Sequence, residues 1–182
     1  MNNKNSLNTL NIIIGPMFSG KTTELLRIAK RLSSIDLKVL LLNYYEDTRY
    51  SQTEMSTHDK TSLPCIFVKD LTDINYDKYD IICINEAQFF EGLTEFCKQA
   101  LEKSKTIYAC GLDGDYKQNK FGEMLDLIPL CDTITKLHAF CGICKDGTFA
   151  HFTKRKDTNQ CQQQKLIGTS EYVPVCRKHI TN

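Results

Sequence analysis

No apolar run in the chain approaches the ~20 residues that a membrane-spanning helix needs, so a membrane partner is not expected. Neither charge is in excess: 23 Lys and Arg stand against 22 Asp and Glu, a formal net charge of +1. A dedicated nucleic-acid binder usually shows a strong basic excess on one face, and this balance speaks against that class. The opening residues, MNNKNSLNTLN, lack the apolar centre of a secretory signal. Residues 1–9 read as a flexible tail, and the expected location is cytoplasmic. There is no internal repeat, and low complexity is confined to the Asn-rich leader and Gln162-Gln163-Gln164.

Cysteine, by contrast, is plentiful: nine residues, an odd number. Without an export signal these read as free thiols and metal ligands, not as a disulfide framework. Cys83, Cys97 and Cys110 sit inside apolar runs and are expected to pack as small hydrophobes. A length of 182 residues with 41% hydrophobic content suits one packed domain with a small appendage.

The most informative stretch is Leu10–Thr22, LNIIIGPMFSGKT. A β-branched run leads into Gly15-Pro16-Met17-Phe18-Ser19-Gly20-Lys21-Thr22, which fits the phosphate-loop pattern G-x-x-x-x-G-K-[ST] between a strand and a helix. The helix follows, with Leu25, Leu26, Ile28, Ala29 and Leu32 on one face. The glycines let backbone N–H groups turn inward, and the helix N-terminus adds partial positive charge where phosphates lie. Lys21 reaches the β- and γ-phosphates, and the Thr22 hydroxyl joins the Mg²⁺ shell. The expected ligand is a nucleoside triphosphate with Mg²⁺; ATP is the common case.

Further strands are expected at Lys38–Tyr44, Cys65–Val68, Ile81–Ile84, Thr106–Cys110 and Asp132–Leu137. Helices are expected at Glu91–Lys103 and at Phe121–Ile128, the latter stopped by Pro129, with a brief turn at Asp70–Asn75. Residues 45–63 show no period and read as a long loop. Alternating strands and helices imply an α/β, mostly parallel sheet spanning residues 10–137, with ligands beyond the carboxyl ends of the strands. Gly15, Asn85-Glu86 and Asp113 fall at such ends.

From residue 138 to 182 the texture changes. Cys141-x-x-Cys144 and Cys176-x-x-His179 are two ligand pairs that match a closed tetrahedral Zn²⁺ site. Such a site holds a small ribbon together and does not catalyse. The polar span between the pairs is placed to act as a lid over the neighbouring site. Glu86, after a buried strand, is placed to take a proton from a hydroxyl attacking the γ-phosphate. Phe89, Phe90, Tyr116, Phe121 and Tyr172 offer flat faces to a base, although each alone is more often core. From these residues the acceptor stays open: a nucleoside kinase, an ATPase or regulatory switch using water, and a zinc-ribbon nucleic-acid adaptor all contain such parts.

In order and spacing, GPMFSGKT, DTRY with THD, EAQFF, LDGDY with KFG, LIPLCDTITKL, CxxC, TKR and CRKH resemble the cellular-type (type II) thymidine kinases, from about Leu10 to Ile180. The resemblance implies a P-loop fold with a zinc-binding lasso, and transfer of the γ-phosphoryl of ATP to the 5′-hydroxyl of thymidine. By this resemblance Glu86 is the base, Lys21 binds phosphate, and Thr22 is the Mg²⁺-coordinating position. Asp47 and Arg49 lie near the transferring phosphate, with Asn85 and Gln88 on the nucleotide side. Met17, Phe89, Leu112, Tyr116, Phe121, Thr153 and Tyr172 map onto the thymidine pocket. Main-chain groups around Gln164, Lys165, Leu166, Ile167 and Gly168 read the base. Family members are usually homotetramers inhibited by dTTP.

The chain departs from the family at several points. Asn85 stands where Asp is usual, which keeps one acceptor oxygen but removes a negative charge. The expected consequence is weaker Mg²⁺ binding with activity kept. Tyr116 stands where Phe is common. Spacing also differs between Cys144 and Thr153 and between Gly168 and Tyr172.

Overall fold

A computed structural model of the chain describes residues 8–47, 54–56, 62–156 and 171–180. In chain order, β1 is Leu10–Ile14, α1 is Lys21–Ser33 and β2 is Val39–Tyr44. A short pair, β3 (Glu54–Ser56) and β4 (Ser62–Pro64), precedes β5 (Ile66–Val68) and β6 (Ile81–Ile84). Next come α2 (Leu93–Glu102), β7 (Thr106–Gly111) and β8 (Thr133–Lys136). The C-terminal part consists of β9 (Ala139–Phe140), β10 (Phe149–Ala150), β11 (Phe152–Arg155), β12 (Tyr172–Val175) and α3 (Arg177–Ile180).

Six strands form one sheet in the order β5-β2-β6-β7-β1-β8. Every pairing in it is parallel. The inner strands are apolar on both faces because both are covered: β6 is buried throughout, as is all of β2 beyond Val39. On one side, Leu93, Phe96, Cys97 and Ala100 of α2 pack with Ile12, Ile14, Ile82, Ile84 and Ile107. On the other, Leu25, Leu26 and Ala29 of α1 pack with Ile13, Leu41, Ile81 and Cys83. The expected mostly parallel α/β sheet is therefore observed. Since all six strands run the same way, the segments after Ile14, Ile84 and Gly111 leave the sheet at one edge, where the candidate site lies.

Cys83, Cys97 and Cys110 are buried in these layers, as expected of small hydrophobes. Burial pushes the Cys97 and Cys110 thiols up to about 12 and moves Cys83 in the same direction, so all three stay protonated and inert.

Two expectations are corrected. Among the described residues of the expected loop at 45–63, β3 and the start of β4 pair antiparallel, with Met55 opposite Leu63. Met55 is buried against Ile81, Cys83 and α1. Strands of three residues are too short for alternation to reveal them. Phe121–Ile128 is not an α-helix; a 3-10 run spans Met124–Leu130 and includes Pro129. Proline bars an α-turn across itself by removing a donor and clashing with the preceding turn, whereas short 3-10 turns fit a connector.

The loop before that run caps α2. Glu123 accepts the backbone N–H of Gly92 at 2.7 Å and of Thr94 at 2.9 Å, satisfying two of the helix's four free donors. Burial opposes ionisation of Glu123, but these N–H donors outweigh it and hold its carboxyl below the usual value of 4.5. A depressed folded pKa gives stability that is present above the unfolded value and lost as pH falls through the folded one. Glu123→Ala is thus expected to cost about 1 kcal/mol at neutral pH. In urea unfolding the difference from the parent should shrink as pH drops below about 4.

Candidate active site

Gly15 ends β1 with φ 152°, and a Cβ there would lie 2.6 Å from the Leu137 carbonyl oxygen, so only glycine fits. Phe18 takes a left-handed conformation (φ 63°), which turns the loop toward α1. The Ser19 hydroxyl donates to the Pro16 carbonyl at 2.8 Å and the Lys21 ammonium to the same carbonyl at 2.7 Å. Lys21 is therefore folded back over the loop, its charge held at the N-terminus of α1. A lysine charge at a helix N-terminus is the kind of place that suits anionic oxygens.

Thr22, on the first turn of α1, donates its hydroxyl to Asn85 Oδ1 at 3.2 Å. This bond joins the phosphate loop to the end of β6. Asn85 is almost fully buried, and its Oδ1 also accepts from the Cys110 thiol at 3.0 Å.

The next residue, Glu86, adopts φ 52° and ψ 39°, a left-handed conformation that costs a non-glycine residue about 1–2 kcal/mol. Strain of this kind persists where the surroundings over-determine it. Here they do. Gln88, itself buried, donates from Nε2 to Glu86 Oε2 at 2.6 Å and accepts the Leu112 N–H at 3.0 Å. Gln88 thus clamps Glu86 to the end of β7. Gly122 makes room for the turn: a Cβ there would lie 2.1 Å from the Gln88 carbonyl oxygen, and its φ is 56°. Gly122→Ala is expected to lower stability by about 1–3 kcal/mol through overpacking and backbone strain. Chemical denaturation would measure that loss, and an unchanged midpoint would show that the turn yields freely.

Around this edge lie the aromatic candidates. The Phe89 ring sits 5.1 Å from Tyr44 and 5.4 Å from Phe121. Phe121, Leu112 and Tyr172 are buried, whereas Phe90 belongs to the core against Tyr44. Arg155 places its guanidinium 5.3 Å from the Tyr116 ring and 5.9 Å from Tyr172, joining the two aromatics by cation–π contacts. Thr153 is buried, and its Oγ1 accepts the Met17 N–H at 3.0 Å, tying the C-terminal ribbon to the phosphate loop. Asp47 is buried beside Asn43. Asp113 instead pairs with Lys136 at 2.8 Å. Arg49 and Gln164 through Gly168 lie outside the described residues, as do Thr57, His58 and Asp59 of the THD motif.

Sequence reasoning gave no role to Asn43, Glu123 or the Arg155 of the TKR motif. Asn43 did carry a signal, a lone amide at the end of the apolar run VLLL. For Arg155 and Glu123 the partners are remote in sequence.

Cys141, Cys144, Cys176 and His179 offer ligand atoms that all lie within 4.8 Å of one another. With Zn–S of about 2.3 Å and Zn–N of about 2.0–2.1 Å, a tetrahedron sets sulfurs about 3.8 Å apart and sulfur about 3.6 Å from nitrogen. The Cys144 and Cys176 sulfurs are 3.8 Å apart. His179 Nδ1 lies 3.6, 3.5 and 3.4 Å from the sulfurs of Cys141, Cys144 and Cys176. The donor set therefore fits Zn²⁺. The amides of Cys144 and Cys176 donate to Cys141 Sγ at 3.5 and 3.4 Å and, against the effect of burial, favour its thiolate form. The ribbon's own core is small, essentially Ala139, Cys141, Ala150, Val175 and Cys176.

The thymidine kinase family profile matches residues 8–180. The chain belongs to the thymidine kinase family. It is 45% identical over 95% of its length to "Thymidine kinase a" of Arabidopsis thaliana, covering 75% of that protein. It is 43% identical to a thymidine kinase of Oryza sativa subsp. japonica over 93% of the chain. It is 36% identical over 92% of its length to the cytosolic thymidine kinase of Gallus gallus, covering 75% of that protein. The chain spans 65% of the rice relative's length. Among the described residues, no helix is long and apolar enough to cross a membrane.

Asn85 is hydrogen-bonded at both ends of its amide. Besides the two donors to its oxygen, its Nδ2 donates to Asn43 Oδ1 at 2.9 Å. The amide is thus matched to its surroundings.

Proposed function

We propose that the chain transfers the γ-phosphoryl group of ATP to the 5′-hydroxyl of thymidine, giving dTMP. The observation that carries this reading is the junction of the phosphate loop with the strained Glu86 turn through the Thr22–Asn85 bond. That bond ties the loop proposed to hold the triphosphate to the residue preceding Glu86, which supports a carboxylate working beside it. In the proposed step Glu86 takes the proton from the 5′-hydroxyl as that oxygen forms a bond to the γ-phosphorus. The bond from that phosphorus to the bridging oxygen breaks, and ADP leaves with the electron pair. Lys21 neutralises phosphate charge, and Arg49 and Asp47 flank the transferred group. Gly15 to Thr22 line the triphosphate, with Asn85 shaping the metal side. Mg²⁺, when bound, screens the phosphate oxygens; Thr22 supplies a protein oxygen to it.

Thymidine would lie against Phe89, Phe121, Leu112 and Tyr116, with Met17, Thr153, Tyr172 and the backbone of 164–168 closing the base. Gln88 acts by holding Glu86. Inhibition by dTTP follows if a triphosphate on the acceptor reaches the phosphate cradle. A homotetramer in the cytoplasm is part of the same proposal.

The test is transfer of radiolabelled phosphate from Mg²⁺–ATP to thymidine, deoxyuridine and deoxycytidine in parallel. Labelled dTMP, with little hydrolysis in the absence of nucleoside, is expected. Hydrolysis independent of nucleoside, with no labelled nucleotide, would overturn the reading in favour of an ATPase or switch.

A further inference from the structure

The polar groups beneath Thr22 form a chain with a defined direction. Asn43, at the end of β2, donates its Nδ2 to the backbone oxygen and Oδ2 of Asp47, both at 3.4 Å. Its Oδ1 accepts Asn85 Nδ2 at 2.9 Å, and Asn85 Oδ1 accepts the Thr22 hydroxyl at 3.2 Å. Asn43 is 3% exposed and Asn85 2%, so both amides are shielded from bulk solvent and depend on buried partners.

We propose that Asp47, through Asn43 and Asn85, sets the direction of the Thr22 hydroxyl, which makes Asn43 a positioning residue for the metal-binding oxygen. A carboxylate and a carbonyl only accept hydrogen bonds. Asn43 must therefore turn its NH₂ toward Asp47, leaving its oxygen for Asn85. Asn85 must then turn its NH₂ toward Asn43, leaving its own oxygen for Thr22. The Cys110 thiol, kept protonated by burial, donates to that same oxygen at 3.0 Å and reinforces the orientation. With its proton committed to Asn85, the Thr22 hydroxyl keeps its lone pairs for a cation on the phosphate side.

The same logic shows why an amide suits position 85. A carboxylate there would set an oxygen against Asn43 Oδ1, and flipping Asn43 to relieve this would set its oxygen against Asp47. Asn43 and Asn85 thus act as a pair.

This inference rests on the proposed role of Thr22 in the Mg²⁺ shell. Its test is calorimetric binding of ATP without nucleoside, in Mg²⁺ and in EDTA, which reads metal-assisted binding without turnover. For the parent chain the affinity ratio between the two conditions should favour Mg²⁺. Asn43→Leu, near in size but unable to hydrogen-bond, should reduce that ratio about 5- to 30-fold, the worth of a buried orienting bond or two. Affinity in EDTA should change little. In a Thr22→Val background, Asn43→Leu should leave the ratio unchanged within about twofold. Should Asn43→Leu fail to fold, Asn43→Ser serves in its place, since its short side chain also breaks the link to Asn85. An unchanged ratio in the Asn43 variant, or an equal fall with and without the Thr22 hydroxyl, would overturn the inference. No Mg²⁺ advantage in the parent chain would instead overturn the role given to Thr22.

Discussion

Glu86→Gln is expected to lower kcat by about 10²- to 10⁴-fold while leaving the KM for thymidine within a few-fold of the parent. The substitution keeps the length and shape of the side chain. Its remaining oxygen can still accept the Gln88 Nε2 donor now 2.6 Å away, so the strained turn should survive. What it removes is the capacity to take a proton from the attacking hydroxyl. A loss confined to the transition state lowers kcat and kcat/KM together, whereas loss of a binding contact raises KM alone. Steady-state kinetics on the variant separate the two. Intact turnover with weakened thymidine binding would reassign Glu86 to holding the nucleoside.

Removal of zinc should have the second large effect, on the C-terminal ribbon before the sheet. The ribbon's buried core, essentially five small residues, is too slight to hold it folded alone, so a metal at the cluster of Cys141, Cys144, Cys176 and His179 would carry its stability. Structural zinc sites contribute about 10 kcal/mol or more in small domains. On chelation, or in Cys144→Ser, the ribbon should loosen and with it the Thr153 contact to Met17. Limited proteolysis with mass mapping should then show first cuts within 138–182, while β1, β6 and β7 stay protected. First cuts inside the parallel sheet would contradict that order of events.

Much of this was legible in the chain before any coordinates. Buried parallel strands announce themselves as apolar runs, and β2, β6 and β7 lie within a residue of their expected bounds. The phosphate loop and the two ligand pairs were equally plain, because backbone turns and metal geometry allow few residue types at few spacings. What was hidden depends on partners brought together by the fold. Met55 becomes core only when β3 and β4 fold back on α1. Glu123 caps α2 from a loop beyond β7. Gln88 also ties Glu86 to the Leu112 amide, a link between segments remote in sequence. Nor does the sequence show that Asn85 has an amide partner in Asn43, on the adjacent strand β2, which donates onward to Asp47.

The most direct measurement is a structure of the chain with thymidine and a non-hydrolysable ATP analogue bound together. The account predicts a Glu86 carboxylate oxygen within about 3.2 Å of the 5′-hydroxyl, and that hydroxyl in line with the γ-phosphorus above Lys21. A Glu86 side chain turned away, with no sugar oxygen able to reach the phosphorus, would contradict it.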